Sequence, residues 1–140
     1  MADDAPSVAI RELSREECEQ LLAGHGVGRM AVVADGQPYI LPVNYATPGG
    51  GEVVFRTAAG SLLNEASLRQ VAFEVDDIDP RAHEGWSVLV LGWGRDIGDA
   101  IDADSVALRQ LPLATWAPGE RHQWYKIVPT AVTGRRLSRA

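Results

Sequence analysis

The chain has almost no cysteine, no long apolar run and no excess of positive charge. Cys18 is the single cysteine among 140 residues. No disulfide can form within the chain, and no cysteine metal cluster is available. The longest largely apolar stretch, Trp86 to Leu91, is far too short for a transmembrane helix. The formal net charge of −6 disfavours nonspecific binding to nucleic acid or to an anionic membrane. Met1 is followed by Asp3 and Asp4, without the basic start and apolar core of a signal peptide. A reducing, cytoplasmic location is therefore expected. His25, His83 and His122 show no metal-ligand spacing. Asp76, Asp77 and Asp79 lack a complete cation-loop set and read as caps of turns. There is no nucleophile elbow, HExxH or P-loop. Gly26-Val27-Gly28 precedes a strand pattern, not a helix, so it is not a dinucleotide fingerprint.

What is present is a composition of 46% apolar residues over a length that suits one domain with a real core. Residues 1–9 read as a flexible tail and residues 10–140 as the domain. Ser14 and Glu17 match a capping box, followed by Cys18, Leu21 and Leu22 at helical spacing, which predicts a helix over about 15–23. Val27 to Val33 reads as a strand, Asp35-Gly36 as a two-residue hairpin turn, and Tyr39 to Tyr45 as the return strand. Pro38 and Pro42 withhold amide donors, so parts of that strand should lie at an edge or bulge. Glu52 to Thr57 closes a meander. A short helix is expected over Leu62 to Ser67, then strands over Val71 to Asp76 and Trp86 to Leu91. The latter is mostly apolar on both faces, which implies cover on both sides. Gly92 and Gly94 predict a bend or bulge. Asp102 or Asp104 caps a helix ended by Pro112, and Gln123 to Val128 forms the last strand, extended by Thr130 to Leu137. The sum is a mainly β (α+β) fold, a six-stranded antiparallel split β-barrel with two or three short helices.

The segment Val53 to Leu63 carries the strongest chemical signal. A strand brings Arg56 and Thr57 to its end, Gly60 turns the chain, and Ser61 opens a helix. A guanidinium, two hydroxyls and helix-start amides within six residues suit a phosphate monoester. The bland alternative is a strand-turn-helix with a solvated arginine and a plain Ser61 cap.

Pro42-Val43-Asn44-Tyr45, Phe55-Arg56-Thr57 with Gly60, Phe73-Glu74-Val75-Asp76, Gly85-Trp86-Ser87-Val88 and Trp116-Ala117-Pro118-Gly119 occur in this order. Together they resemble the pyridoxamine 5'-phosphate oxidase-like family of flavin-binding split barrels, in its short actinobacterial, nitroimidazole-reductase-like form. The resemblance spans roughly Ile10 to Leu137. It implies a homodimer with FMN at the subunit interface, serving a flavin-dependent oxidoreductase with small-molecule electron donor and acceptor. Pro42, Val43 and Asn44 would pass the flavin ring, although Asn44 is equally a turn residue. Arg56, Thr57, Gly60 and Ser61 would hold the phosphate. Trp116 would cover a flavin face or line the neighbouring subunit's site, and Ser87 would make a polar contact near the cofactor. Where the family carries a lysine, in a Gly-Ser-Lys-Leu pattern, this chain has Leu62. The missing cation implies weaker FMN binding or another cofactor such as the deazaflavin F420. The alternative function is a noncatalytic flavin, haem or F420 binding module.

Overall fold

The computed structural model describes residues 8–58 and 60–139. Its elements in chain order are β1 (Val8–Glu12), α1 (Arg15–Ala23), β2 (Val27–Ala34), β3 (Gln37–Gly49), β4 (Glu52–Thr57), a 3-10 helix (Leu62–Ala66), β5 (Gln70–Asp79), β6 (Glu84–Asp96), α2 (Ala103–Leu108) and β7 (Gln123–Arg139). One antiparallel sheet runs β1-β7-β4-β3-β2-β5-β6, and a further β6–β7 pairing closes six of the seven strands into a ring.

Local chemistry explains most of these elements. Ser14 accepts from the Glu17 amide and the Glu17 carboxylate accepts from the Ser14 amide, which is the expected capping box of α1. The turn between β2 and β3 places both Asp35 and Gly36 at positive φ, the backbone that a two-residue hairpin demands. Pro42 and Pro38 pair only toward β2, opposite Arg29 and Val33, because β4 meets β3 no earlier than Tyr45. Their missing amides thus face an unpaired edge. β6 and β7 are longer than the sequence implies. β6 shifts register between Leu91 and Gly92, which is the bulge expected there. Gly94 has a steric duty: a Cβ there would collide with the carbonyl of Ala66 in the 3-10 helix.

Inward-facing residues of the ring, among them Met30, Phe55, Phe73, Val88, Val90 and Ile127, form the main core. Cys18 and Leu22 of α1 are fully buried against it. Tyr45 donates its hydroxyl to the Leu22 carbonyl at 2.6 Å, tying α1 to β3. A second, smaller cluster joins Val54 on the opposite face of β4 to Ile97, Leu108 and Leu113. It seats α2 and the loop that follows.

Two features were not expected. β1 begins at Val8, within the segment read as a tail, and pairs with the end of β7 from Val8↔Arg139 to Glu12↔Arg135. Residues 1–7 of that segment lie outside the described residues. The short helix is of 3-10 type and ends at Ala66. Among the described residues no helix is long and apolar enough to cross a membrane.

Candidate functional site

The end of β4 is where the predicted residues converge. Phe55 points into the core and is fully buried, while Arg56 takes the opposite face and is half-buried. Thr57 is buried again at 3% exposure, an unusual place for a hydroxyl. Gly60 turns the chain at φ +81. Ser61 then caps the 3-10 helix, accepting from the Leu63 amide at 3.2 Å. A helix of five residues has little macrodipole, so side chains rather than the helix start must carry any anion binding here.

A cavity of about 140 Å³ opens at this point. Pro42, Val43, Asn44, Arg56, Thr57 and Ser61 line it, all of them predicted from the sequence. Leu63, Thr115, Ala117 and Arg121 complete the wall. Gly60 shapes the turn without lining the cavity. Leu62 does not line it either; the neighbouring Leu63 does, because the tight 3-10 turn aims side chain 62 elsewhere. Ser87 lies apart, in a cleft with Glu74, Leu89 and Arg135 that shares no lining residue with this cavity. Within one chain it makes no contact with the site.

Arg56 does more than a free phosphate ligand would. Its Nε donates to the Arg121 carbonyl at 3.0 Å and its Nη1 to the Leu113 carbonyl at 2.9 Å. Its guanidinium also lies 5.0 Å from the Trp124 ring centroid. It therefore staples both ends of the loop that runs from Leu113 to Arg121. Asn44 holds the middle, where its Oδ1 accepts from the Trp116 amide at 2.9 Å. Arg56 spends two of its five N–H donors on the loop. Among the described residues, neither Arg56 nor Arg121 pairs with a carboxylate.

The strapped loop separates two spaces. Thr115 and Ala117 face the small cavity, while Leu113, Ala114 and Trp116 line a cleft of about 550 Å³ with His25, Tyr45 and Asn44. Asn44 borders both. Trp116 is 77% exposed, so it forms an open wall and not a packed one. The small cavity is below the roughly 300–1,000 Å³ of sites that enclose a drug-sized ligand. Its volume is that of a small polar group and not of a whole cofactor.

Thr115, Ala117 and Arg121 escaped the sequence reading because their loop has no periodic pattern. The available signal for Arg121 was a cation close to Trp116 in an acidic chain.

The family model described as pyridoxamine 5'-phosphate oxidase matches residues 14–136. An uncharacterized protein of Mycobacterium tuberculosis is 34% identical over 132 residues, covering 90% of this chain and 84% of that protein. The structure of an FAD-binding protein from Mycobacterium smegmatis superposes with a TM-score of 0.74 at 34% identity, covering 90% of this chain and 98% of that one. An FAD-binding protein from Mesorhizobium loti gives a TM-score of 0.73 at 26% identity, covering 94% and 99%.

Proposed function

Because the chain belongs to the pyridoxamine 5'-phosphate oxidase family, we propose that it binds a flavin nucleotide and serves as a flavin-dependent oxidoreductase. The observation that carries this reading is the small cavity, which gathers Arg56, Thr57 and Ser61 beside the β3 segment Pro42 to Asn44. Its size and donor set fit a ribityl phosphate and exclude the ring. FMN and FAD share that group. Two similar structures are of FAD-binding proteins, which puts FAD ahead of FMN, and FMN ahead of F420.

The flavin, when bound, supplies the hydride and electron chemistry. The residues of this chain bind and orient it. Arg56 holds the phosphate with the donors left free by the loop. Thr57 and Ser61 add hydroxyls. Backbone groups of Pro42 and Val43 and the Asn44 amide lie along the path from phosphate to ring. The larger cleft beside Trp116 is open to a small donor or acceptor.

A second copy of the chain completes the assembly in this reading. On the outer face of β6, Leu89, Leu91 and Trp93 are 36%, 41% and 42% exposed. Ala31, Val33 and Ala72 continue the surface across β2 and β5. An apolar sheet face of this extent calls for cover.

The decisive experiment is the absorption spectrum of the purified protein and the mass of the released chromophore. It is followed by reduction with a nicotinamide nucleotide and reoxidation by an added acceptor. A flavin that turns over supports the proposal. A bound flavin that is never reduced would leave a binding module, and a protein that neither retains nor takes up a flavin would defeat the proposal. Sedimentation equilibrium tests the dimer; a 15.1 kDa species alone would rule it out.

A further inference from the structure

We propose that Arg121 is a second cationic ligand of the small cavity, so that the flavin nucleotide's phosphate or diphosphate is clamped between two arginines, one from β4 and one from the loop. The proposal rests on the flavin-nucleotide reading and assigns a residue to it that no motif marks. Three observations converge. Arg121 and Arg56 line the same cavity of about 140 Å³. Among the described residues neither is neutralised by a carboxylate, although the chain carries a net charge of −6. The Nε of Arg56 grips the Arg121 carbonyl at 3.0 Å, which fixes the second arginine's backbone at the rim.

Two like charges held beside one small space are costly unless an anion occupies it. The FMN monoester carries about −1.5 to −2 at neutral pH, and the FAD diphosphate carries about −2 spread over its two phosphates, so either is close to the charge of two guanidinium groups. Arg121 is also free to respond. Among the described residues its side chain makes one hydrogen bond, a 3.2 Å contact from Nη2 to the exposed Pro118 carbonyl. Its remaining donors have no partner among the described residues, and arginine forks match phosphate oxygens in pairs.

The test uses Arg121→Gln and Arg121→Lys in the full chain. The Arg56 contact is to the backbone of residue 121, so neither substitution removes the staple. Wild type and both variants are titrated with FAD, FMN and riboflavin at two ionic strengths, following flavin fluorescence. Arg121→Gln should weaken FAD and FMN about tenfold and leave riboflavin unchanged. Arg121→Lys should recover part of the loss, and the difference should shrink with salt. Equal affinity of wild type and Arg121→Gln for FMN and FAD would overturn the proposal. So would an equal loss for riboflavin, which would mean that the side chain shapes the loop.

Inorganic pyrophosphate, titrated by calorimetry, separates this proposal from the flavin reading. If wild type binds no flavin but binds pyrophosphate in a way that Arg121→Gln abolishes, the two-arginine anion site stands and the flavin reading falls. If neither flavin nor pyrophosphate binds, both fall.

Discussion

The Oδ1 of Asn44 accepts a hydrogen bond from the backbone amide of Trp116 at 2.9 Å, joining residues 72 positions apart. This contact places β3 and the Leu113–Arg121 loop on either side of the candidate site. It also gives Asn44 a structural duty besides any contact with a ligand. Asn44→Ala should free the loop, while Asn44→Asp keeps an acceptor and should largely preserve it. A partly exposed bond of this kind contributes about 1 kcal/mol, so exchange at the Trp116 amide should rise about fivefold in the alanine variant. Hydrogen exchange reads this directly. Unchanged protection would mean that the loop is held by Arg56 alone.

Arg56 links stability to binding. Its two bonds to the Arg121 and Leu113 carbonyls come from a charged donor in a half-buried setting. Arg56→Ala should therefore destabilise the fold by about 1–3 kcal/mol as well as weaken the flavin nucleotide about tenfold or more. Arg56→Lys keeps the charge without the fork and should retain more binding than stapling. Thermal unfolding without ligand, set beside FMN and riboflavin titrations, separates the two effects. An Arg56→Ala protein with the wild-type melting temperature would show that the staple contributes nothing.

How much of this was legible follows from the range of the interactions. The Asp35-Gly36 turn and the Ser14 capping box are set by residues within a few positions, and both appear as the sequence predicts. β4 matches its expected bounds because its polar flanks mark them. β1 was hidden because all five of its residues are exposed, leaving no alternation to read, and its partner lies at the other end of the chain. The half of the cavity built at the end of β4 was visible in the run Arg56-Thr57-Gly60-Ser61. Its loop half was not, since Thr115, Ala117 and Arg121 reach the cavity only through the Asn44 and Arg56 contacts. Ser87 stands on the outer face of β6 with Leu89, in register with Asp76 and Arg135 and apart from this chain's small cavity.

Gly94 tests the seat of the turn that carries Ser61 and Leu63. A Cβ at residue 94 would run into the backbone of Ala66, which cannot yield as a side-chain tip would. Gly94→Ala should cost roughly 1–3 kcal/mol or more. It should also loosen the 3-10 helix, read as increased exchange at the Asn64 and Ser67 amides, which the helix bonds at 3.0 and 3.3 Å. A variant as stable as wild type would contradict the close approach of β6 to this helix.

Leu62 is 36% exposed and does not line the cavity. A lysine there starts outside the wall and must reach around Leu63 to meet a phosphate. Leu62→Lys should change FMN affinity by less than about twofold at moderate salt, where screened surface charges contribute little. A several-fold gain that fades with added salt would show that residue 62 does reach the phosphate.

Glu74 makes the fold sensitive to pH. Its side chain is one-third exposed, yet its Oε1 is buried without a hydrogen-bond partner and lies 3.6 Å from Arg29 Nη1. Burial, then the neighbouring Asp76, pushes its carboxyl from an ordinary 4.5 up to about 7, against the opposing pull of Arg29. Arg29 itself is shared with Asp76 at 3.3 Å, and Glu12 and Arg135 border the same cleft. Between those two values the folded chain holds a proton that the unfolded chain releases. Raising the pH through that window therefore favours unfolding, and the penalty is complete above about 7. Solvent screening at a partly exposed site keeps the effect modest. Glu74→Gln removes the ionisation while keeping the shape. Its melting temperature should exceed that of wild type at pH 8 by a few degrees, and the gap should close by pH 4. Melting curves across that range check the prediction, and parallel profiles for the two proteins would show that Glu74 is ionised at no cost in the folded state.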